Sequence, residues 1–512
     1  MNKKTGKVYL IGAGPGDPGL LTIKAMECMK KADVVVYDYL ASPALLKYAG
    51  KNAEIIYVGK RGGDHTLTQD KINALLADKG AKGLMVARLK GGDPFIFGRG
   101  GEEAAFLIDR KIPFEIISGV TSAIAAPAYA GIPLTHRQHA SSVCLITGHE
   151  DPLKHETSIH WKALAETRST LVFLMGVKNL PQITKKLLQS GKASDTPVAL
   201  VRWGTTSKQE TISGTLDDIV EKVKASGLKP PAVIVVGSVV SLRDKMKWFE
   251  KSPLFGKKII VTRARAQASD LVARLSDKGA ACIEIPTIKI VSPSDNGDLV
   301  NCVEKINAFD WLVFTSVNGV KFFFETLFSM KKDVRVLGHL KFACIGPATK
   351  KQLKKFGIIC DIMPETYRAE AVAQAFSNIT LKHKKVLLPR AKKARAVLPD
   401  ELRKMGADVS EVIAYETEID DENKQQLDAL LGEKQIDMVT FTSSSTVSNF
   451  KRLLPQDKFQ RIISNACIAC IGPITAETAL SQGIKPDITA SEYTIPGLVN
   501  SITHYFKGLQ RS

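Results

Sequence analysis

The chain has 512 residues, 44% hydrophobic and 24% charged, with mean hydropathy near zero. That composition excludes a largely disordered chain, and a length of this order divides into more than one core. With 71 Lys+Arg against 52 Asp+Glu the formal charge is +19, which calls for an anionic partner: nucleic acid, an anionic membrane or a polyacidic small molecule.

Apolar runs of strand length alternate with helical ones, predicting an α/β protein with largely parallel sheets. In the first half the expected strands are Val8–Gly12, Val34–Tyr37, Glu54–Val58, Leu84–Leu89, Ser142–Thr147, Thr170–Met175 and Pro231–Gly237. Lys245–Lys258 is basic, contains Pro253 and Gly256, and reads as a linker before a fresh strand at Ile259–Thr262. The second half then repeats itself. Lys257–Arg263 aligns with Lys384–Arg390 and Asp310–Ser316 with Asp437–Ser443, both at an offset of 127, while Ala343–Pro347 aligns with Ala469–Pro473 at 126. One offset shared by several strand-and-turn pieces implies two similar α/β lobes. Each lobe presents Thr-Ser and Gly-Pro turns just beyond strand ends, where ligands bind in such sheets.

Charge does not separate the halves: residues 1–250 carry 34 basic and 24 acidic residues, the rest 37 and 28. The eight cysteines show no disulfide framework. Cys467 and Cys470 form a CxxC inside a strand-like run, where their side chains would point to opposite faces, so buried reduced thiols are expected and no metal. Met1–Lys4 leads straight into a strand without a signal-peptide core, and Pro127, Gly131 and Pro133 interrupt the uncharged stretch Ile116–Thr135. A cytoplasmic protein that spans no membrane is expected. Neither an aromatic-interleaved basic groove nor a recognition helix suggests nucleic acid.

Two glycine clusters follow strands in the first half. Gly12-Ala13-Gly14-Pro15-Gly16-Asp17 begins like a dinucleotide fingerprint, but Asp17 replaces the third glycine and would repel a pyrophosphate, which disfavours NAD or FAD. Between Gly91 and Gly101 five glycines fall in eleven residues, so the backbone there must approach something closely. Ser118-Gly119-Val120-Thr121-Ser122 adds hydroxyls at another strand end.

Read together, GAGPGDPGLLT, VVVYD, VGKRGG, RLKGGDPFIFGRGGEE, ISGVTSAIAAPAYAGIPLTHR and TGHE make residues 5–245 resemble S-adenosylmethionine-dependent uroporphyrinogen-III C-methyltransferases. The resemblance implies a bilobed tetrapyrrole-methylase fold with S-adenosylmethionine between two α/β lobes, and a homodimer through this half. It implies a methyl-donor site of Pro15, Gly91, Gly92, Asp93, Ile96, Thr121, Ser122, Met175 and Gly204, with Asp38 as proton acceptor and Lys60 as proton donor. The chemistry has a plain need for them: a pyrrole carbon attacks a sulfonium methyl, and the cationic ring must then shed a proton. Arg61, Arg88, Lys90, His136 and Arg137 are candidates for gripping substrate carboxylates, Arg137 first among them.

Residues 257–510 resemble uroporphyrinogen-III synthase through VTRARAQASDL, FTSVNGV, CIGPATKKQL, LLPRAKKAR, VIAYET, FTSSSTV and CIGPITAET. The resemblance implies one lobe from about 257–290 with 418–512 and another from 295–415, joined by crossings at Pro286–Ser292 and Tyr415–Ile419. Loss of the hydroxyl from hydroxymethylbilane supplies its own electrophile, so the task is to hold the chain in one fold before closure. Thr315, Ser316, Asn318, Gly346, Thr349, Thr442, Ser443 and Ser444 suit that holding. Tyr415 matches the tyrosine placed near the leaving hydroxyl, and Arg263 and Arg390, equivalent in the repeat, are carboxylate-binding candidates. The expected domains are 1–245 methylase, 246–256 linker and 257–512 synthase. The substrates implied are polycarboxylate tetrapyrroles, and the pathway fed by the product, sirohaem or cobalamin, stays open. Two rivals remain: another enzyme of the methylase superfamily, and an active methylase followed by a non-catalytic, regulatory module.

Overall fold

The computed structural model describes residues 6–59, 67–149, 158–262, 265–285, 288–394, 396–419 and 436–509. Lys60, Arg61 and Arg263 lie outside them. The chain divides into two compact units: Met1–Lys258 with Arg274–Cys282 and Thr503–Ser512, and Ile259–Ala273 with Ile283–Ile502.

The first unit holds two five-stranded sheets. β1 (Lys7–Gly12), β2 (Val34–Tyr37), β3 (Glu54–Tyr57), β4 (Met85–Lys90) and β5 (Phe114–Ile117) lie in the order β3-β2-β4-β1-β5, all parallel. The central strands β1, β2 and β4 are largely buried, in runs such as Val34-Val35-Val36, as parallel strands covered on both faces require, while the edge strand β3 is partly exposed. β6 (Val143–Thr147), β7 (Thr170–Leu174), β8 (Pro197–Arg202), β9 (Glu210–Thr215) and β10 (Ala232–Val236) take the order β6-β7-β10-β8-β9. Here the expectation of largely parallel pairing fails. Only β6 and β7 run parallel, whereas β10 inserts antiparallel between β7 and β8, and β9 turns back on β8.

The stretch read as a linker is packed. Trp248 and Phe249 lie on Tyr129, with ring centroids 5.0 and 4.9 Å away, and Trp248 Nε1–H donates to the Ala128 carbonyl at 3.1 Å. Glu250 accepts hydrogen bonds from Arg243, Gln209 and Thr211, and Leu254 is fully buried. Basic residues, Pro and Gly gave this segment its loose composition, but its aromatic residues anchor it.

The second unit is built around the duplication. The remaining strands are β11 (Lys258–Val261), β12 (Ala281–Glu284), β13 (Ile288–Val291), β14 (Trp311–Phe314), β15 (Lys341–Cys344), β16 (Lys385–Ala391), β17 (Asp408–Ile419), β18 (Met438–Phe441), β19 (Cys467–Cys470) and β20 (Ile488–Thr489). One sheet runs β12-β11-β18-β19-β20 and the other β13-β17-β16-β14-β15. Shifting by the repeat offset turns β12-β11-β18-β19 into β17-β16-β14-β15, so the two sheets share one order. The two expected crossings pair with each other: Ile288–Val291 runs antiparallel to Glu416–Ile419. A bulge at Arg390/Ala391 sets Tyr415 opposite Ala391. One lobe core is rich in phenylalanine, with Phe314, Phe323 and Phe324 fully buried. Cys470 is buried at the end of β19 and Cys467 half-buried at its start. No described helix is long and apolar enough to cross a membrane.

Candidate active sites

In the first unit a cavity of about 730 Å³ opens at the carboxyl ends of the parallel strands, the position where α/β sheets bind ligands. All nine residues expected at the methyl-donor site line it, together with Asp38, Arg88 and Lys90. Its floor is backbone laid against backbone. Gly14 and Gly92 exchange N–H···O=C bonds of 3.1 and 2.7 Å. A Cβ on Gly12 would stand 2.4 Å from the Gly119 nitrogen, and one on Gly119 only 2.3 Å from the Gly92 carbonyl oxygen. The glycine clusters therefore meet one another at the strand ends.

Polar side chains at the rim mostly hold loops. Asp93 accepts from the N–H groups of Phe95 and Gly119 at 2.8 and 3.0 Å, tying the second glycine loop to the third. Thr121 caps the helix Ser122–Tyr129. Asp17 caps the short turn Pro18–Leu20 and accepts from Tyr129 Oη–H at 2.7 Å; burial, then this bond, pushes the Tyr129 phenol well above its usual value. Leu40, Ile96, Phe97 and Met175 present exposed apolar side chains at the rim, among polar residues that include Arg99, His149 and Lys178. Four lining residues other than glycine, Phe97, Arg99, Met175 and Trp203, hold positive φ between 47° and 59°. Such backbone costs of the order of 1 kcal/mol or more per residue and gathers where loops are shaped for a ligand.

Asp38 sits at the cavity wall with both oxygens engaged. Oδ2 accepts from Arg88 Nη2 at 2.8 Å and Oδ1 from the Leu40 N–H at 3.1 Å. The residues Arg88 and Lys90 are not free to grip a substrate, as the sequence suggested. Arg88 is 2% exposed, and its other donors go to the Leu89 carbonyl (2.8 Å) and Glu103 Oε1 (3.4 Å). Lys90 Nζ donates to the same Glu103 oxygen at 2.6 Å, as does Gln69 at 3.1 Å. Glu103 is fully buried, and its Oε2 has no partner among the described residues. Burial, helped by the charge of Arg88, pushes the Lys90 ammonium below its ordinary value against the pull of Glu103. Sequence reasoning missed Glu103 because only the helix Gly100–Asp109 carries it beneath β4. Arg137 is exposed, and it and His136, which meets His139 edge to face, lie outside the cavity lining.

In the second unit the expected residues fall at strand ends in both lobes. Thr315, Ser316 and Asn318 follow β14, Gly346 and Thr349 follow β15, and Thr442, Ser443 and Ser444 follow β18. Ser316 caps the helix Val317–Ser329, accepting from the Gly319 N–H at 2.9 Å, and Ser443 caps Ser444–Leu453 in a capping box with Thr446. Tyr415 is buried against Phe322 and donates to Ser316 Oγ at 3.0 Å, which brings two expected residues into one contact. Ser444 accepts from Thr478 at 2.7 Å. Two expectations need correction. Thr349 is buried on the first turn of its helix, so it is not a surface ligand. Arg390 is largely buried and bonded to Glu411 at 2.6 Å, which Arg403 also holds, so a carboxylate of the protein already answers its charge. Among the described residues no cluster of side chains is arranged to hold a metal ion.

Comparison with known proteins assigns the two regions. Residues 7–220 match the family model of tetrapyrrole (corrin/porphyrin) methylases, and residues 269–500 that of uroporphyrinogen-III synthase HemD. The chain is 38% identical over 497 residues to the porphyrin biosynthesis protein HemD of Ruminiclostridium josui, covering 97% of both. Over 244 residues, 48% of this chain and 96% of the relative, it is 52% identical to the S-adenosyl-L-methionine-dependent uroporphyrinogen III methyltransferase of Methanosarcina barkeri. The uroporphyrin-III C-methyltransferase of Thermus thermophilus, solved with S-adenyl homocysteine, shares 39% identity and a TM-score of 0.40 over 46% of this chain and 100% of that one. The chain belongs to the porphyrin-biosynthesis family in which a tetrapyrrole methylase region is fused to a uroporphyrinogen-III synthase region.

Proposed function

We propose that residues 257–512 close hydroxymethylbilane to uroporphyrinogen III with inversion of the last pyrrole, and that residues 1–245 methylate that product twice, at C2 and C7, giving precorrin-2. Residues 246–256 connect the two activities. The observation that carries the methylase reading is the gathering of nine expected methyl-donor residues and Asp38 around one cavity. The fit to S-adenosylmethionine rests on that cavity's make-up: glycine turns packed backbone to backbone beneath it, and exposed apolar side chains of Leu40, Ile96 and Met175 suited to covering a flat base. When bound, the donor supplies an electrophilic sulfonium methyl.

The chain's own residues do the remainder. The glycine turns and Pro15 fix where the donor lies, and the apolar rim excludes water from the transfer. Asp38 is positioned to take the ring proton on a carboxylate oxygen, with Arg88 fixing the carboxylate's orientation. Lys60 is the proposed proton donor, and Arg61 and Arg137 bind substrate carboxylates. In the synthase half Tyr415 and Ser316 hold the end of the bilane that loses its hydroxyl, while the strand-end turns of both lobes hold its other pyrroles. We place the protein in the cytoplasm as a homodimer through the methylase half.

One experiment separates the two activities. The full chain given hydroxymethylbilane without S-adenosylmethionine should yield uroporphyrinogen III, and with it the dimethylated precorrin-2. Only the symmetric isomer in the first tube overturns the synthase reading, and no methyl transfer onto supplied uroporphyrinogen III overturns the other. Arg137→Ala should raise KM for uroporphyrinogen III with little change for S-adenosylmethionine.

A further inference from the structure

The duplicated lobes allow one part of the chain to be compared with another. Residues 343–367 and 469–493 have diverged through most of their length, yet they keep a handful of residues at an offset of 126. Most of these answer to the fold. Asp361 and Asp487 each accept a strand N–H at 2.7 Å, from Phe342 and Ile468. Ile362 and Ile488 bridge to Ala343 and Ala469. Gly357 and Gly483 both hold φ of +78°, which a side chain disfavours. Pro347 and Pro473 open helices, where a missing N–H costs nothing.

Tyr367 and Tyr493 are retained at the same offset, and burial does not explain them. Their side chains are 59% and 65% exposed, and neither hydroxyl has a hydrogen-bond partner among the described residues. Each ring lies on a retained glycine: a Cβ on Gly346 would stand 3.2 Å from the Tyr367 ring, and one on Gly472 3.1 Å from the Tyr493 ring. Backbone conformation does not demand those glycines, because their φ values of −177° and −175° are open to any residue. What a side chain there would disturb is the seat of the ring. Both lobes have therefore kept a flat, exposed, hydroxyl-tipped ring and a groove to hold it, just beyond a strand end of the parallel sheet.

We infer that Tyr367 and Tyr493 are paired substrate-binding residues, one per lobe, each stacking on a pyrrole ring of the polycarboxylate tetrapyrrole and donating its hydroxyl to a carboxylate. The inference rests on the synthase reading. A phenol ring matches a pyrrole in flatness, and offset stacking favours such pairs beyond the area they bury. An ionised carboxylate is a strong acceptor for a phenol O–H. With one platform in each lobe, a linear chain of pyrroles is held at two places.

The test uses the full chain with hydroxymethylbilane. Tyr367→Ala and Tyr493→Ala should each raise KM about 3–10-fold and increase the share of symmetric isomer formed by unassisted closure. The Phe variants should keep most of the stacking and lose the smaller contribution of the hydroxyl. Methyl transfer onto supplied uroporphyrinogen III should be unchanged in all four. On the unaltered protein, tetranitromethane should nitrate both tyrosines, and added uroporphyrinogen III should protect them, as mapped by peptide mass spectrometry. KM values within twofold of wild type for both Ala variants, or nitration indifferent to uroporphyrinogen III, would overturn the inference while leaving the synthase reading intact. A wild-type chain that makes only the symmetric isomer overturns both.

Discussion

The methylase cavity and the synthase lobes solve different problems, and their construction differs accordingly. At the methylase site the loops are pinned by backbone contacts too close for any side chain, four lining residues hold left-handed backbone, and a fully buried carboxylate organises two cations beneath the wall. Methyl transfer needs a carbon aligned with an S–CH₃ bond and a base at one place, and small displacements are costly. The synthase unit relies on hydroxyls and caps at strand ends in two related sheets, with the Tyr415–Ser316 bond the most specific contact among the expected residues. Closure of a chain that generates its own electrophile asks mainly for a held shape. Precision is concentrated in one half and distributed in the other.

The sharpest way to break that contrast is at Asp38. Asp38→Asn keeps the shape and a hydrogen-bond acceptor for Arg88 but removes the proposed base, so methyl transfer should fall by at least about 100-fold. Calorimetric binding of S-adenosylhomocysteine should be little changed, as should synthase turnover on the same chain. A variant that methylates at near wild-type rate would show that Asp38 only packs.

Next comes Glu103. Glu103→Leu leaves Lys90 and Arg88 buried without their shared carboxylate, and breaking one member of a buried ion network costs about 3–5 kcal/mol. Trp161, Trp203 and Trp248 lie in the first unit and Trp311 in the second, so denaturation followed by fluorescence should show an early transition in the first unit. Unaltered stability would mean that Lys90 sheds its charge in the fold.

In the synthase half the effect of one substitution should be smaller. Tyr415→Phe removes the hydrogen bond to Ser316 but keeps the ring against Phe322. We expect a loss of roughly tenfold in synthase kcat, the order of one hydrogen bond, with methylation untouched. A loss as large as that expected at Asp38 would erase the contrast between the halves.

How far the sequence discloses each half follows from the same difference. The close packing of the glycine clusters was legible in their composition, as Gly12 and Gly119 show, whereas the methyl-donor residues came from the resemblance. The duplication was legible because strand pieces recur at one offset, and the two sheets of the second unit share one strand order. The antiparallel entry of β10 was not, since pairing direction is decided by neighbours and β10 is as apolar as the parallel-paired β7. Nor were the partners of Arg88 and Arg390. Glu103 and Glu411 are 15 and 21 residues away along the chain, and a cation that binds a ligand has the same signature in sequence as one that binds its own protein.

The smallest expected effect concerns the segment joining the activities. Burial opposes ionisation of Glu250, but hydrogen bonds from Arg243, Gln209 and Thr211 outweigh it, and its carboxyl titrates below the usual range. A carboxyl depressed in the fold adds stability above its unfolded pKa, and that stability drains away as pH falls through the folded value. The first unit should therefore lose stability below about pH 4.5, the ordinary glutamate value, in part through this group. Glu250→Gln should cost about 1–2 kcal/mol at neutral pH and reduce the acid sensitivity, read as the denaturation midpoint between pH 3 and 7. If the segment were a loose tether, the substitution would change neither. A measurable change would show that the residues after the methylase core are part of its packing.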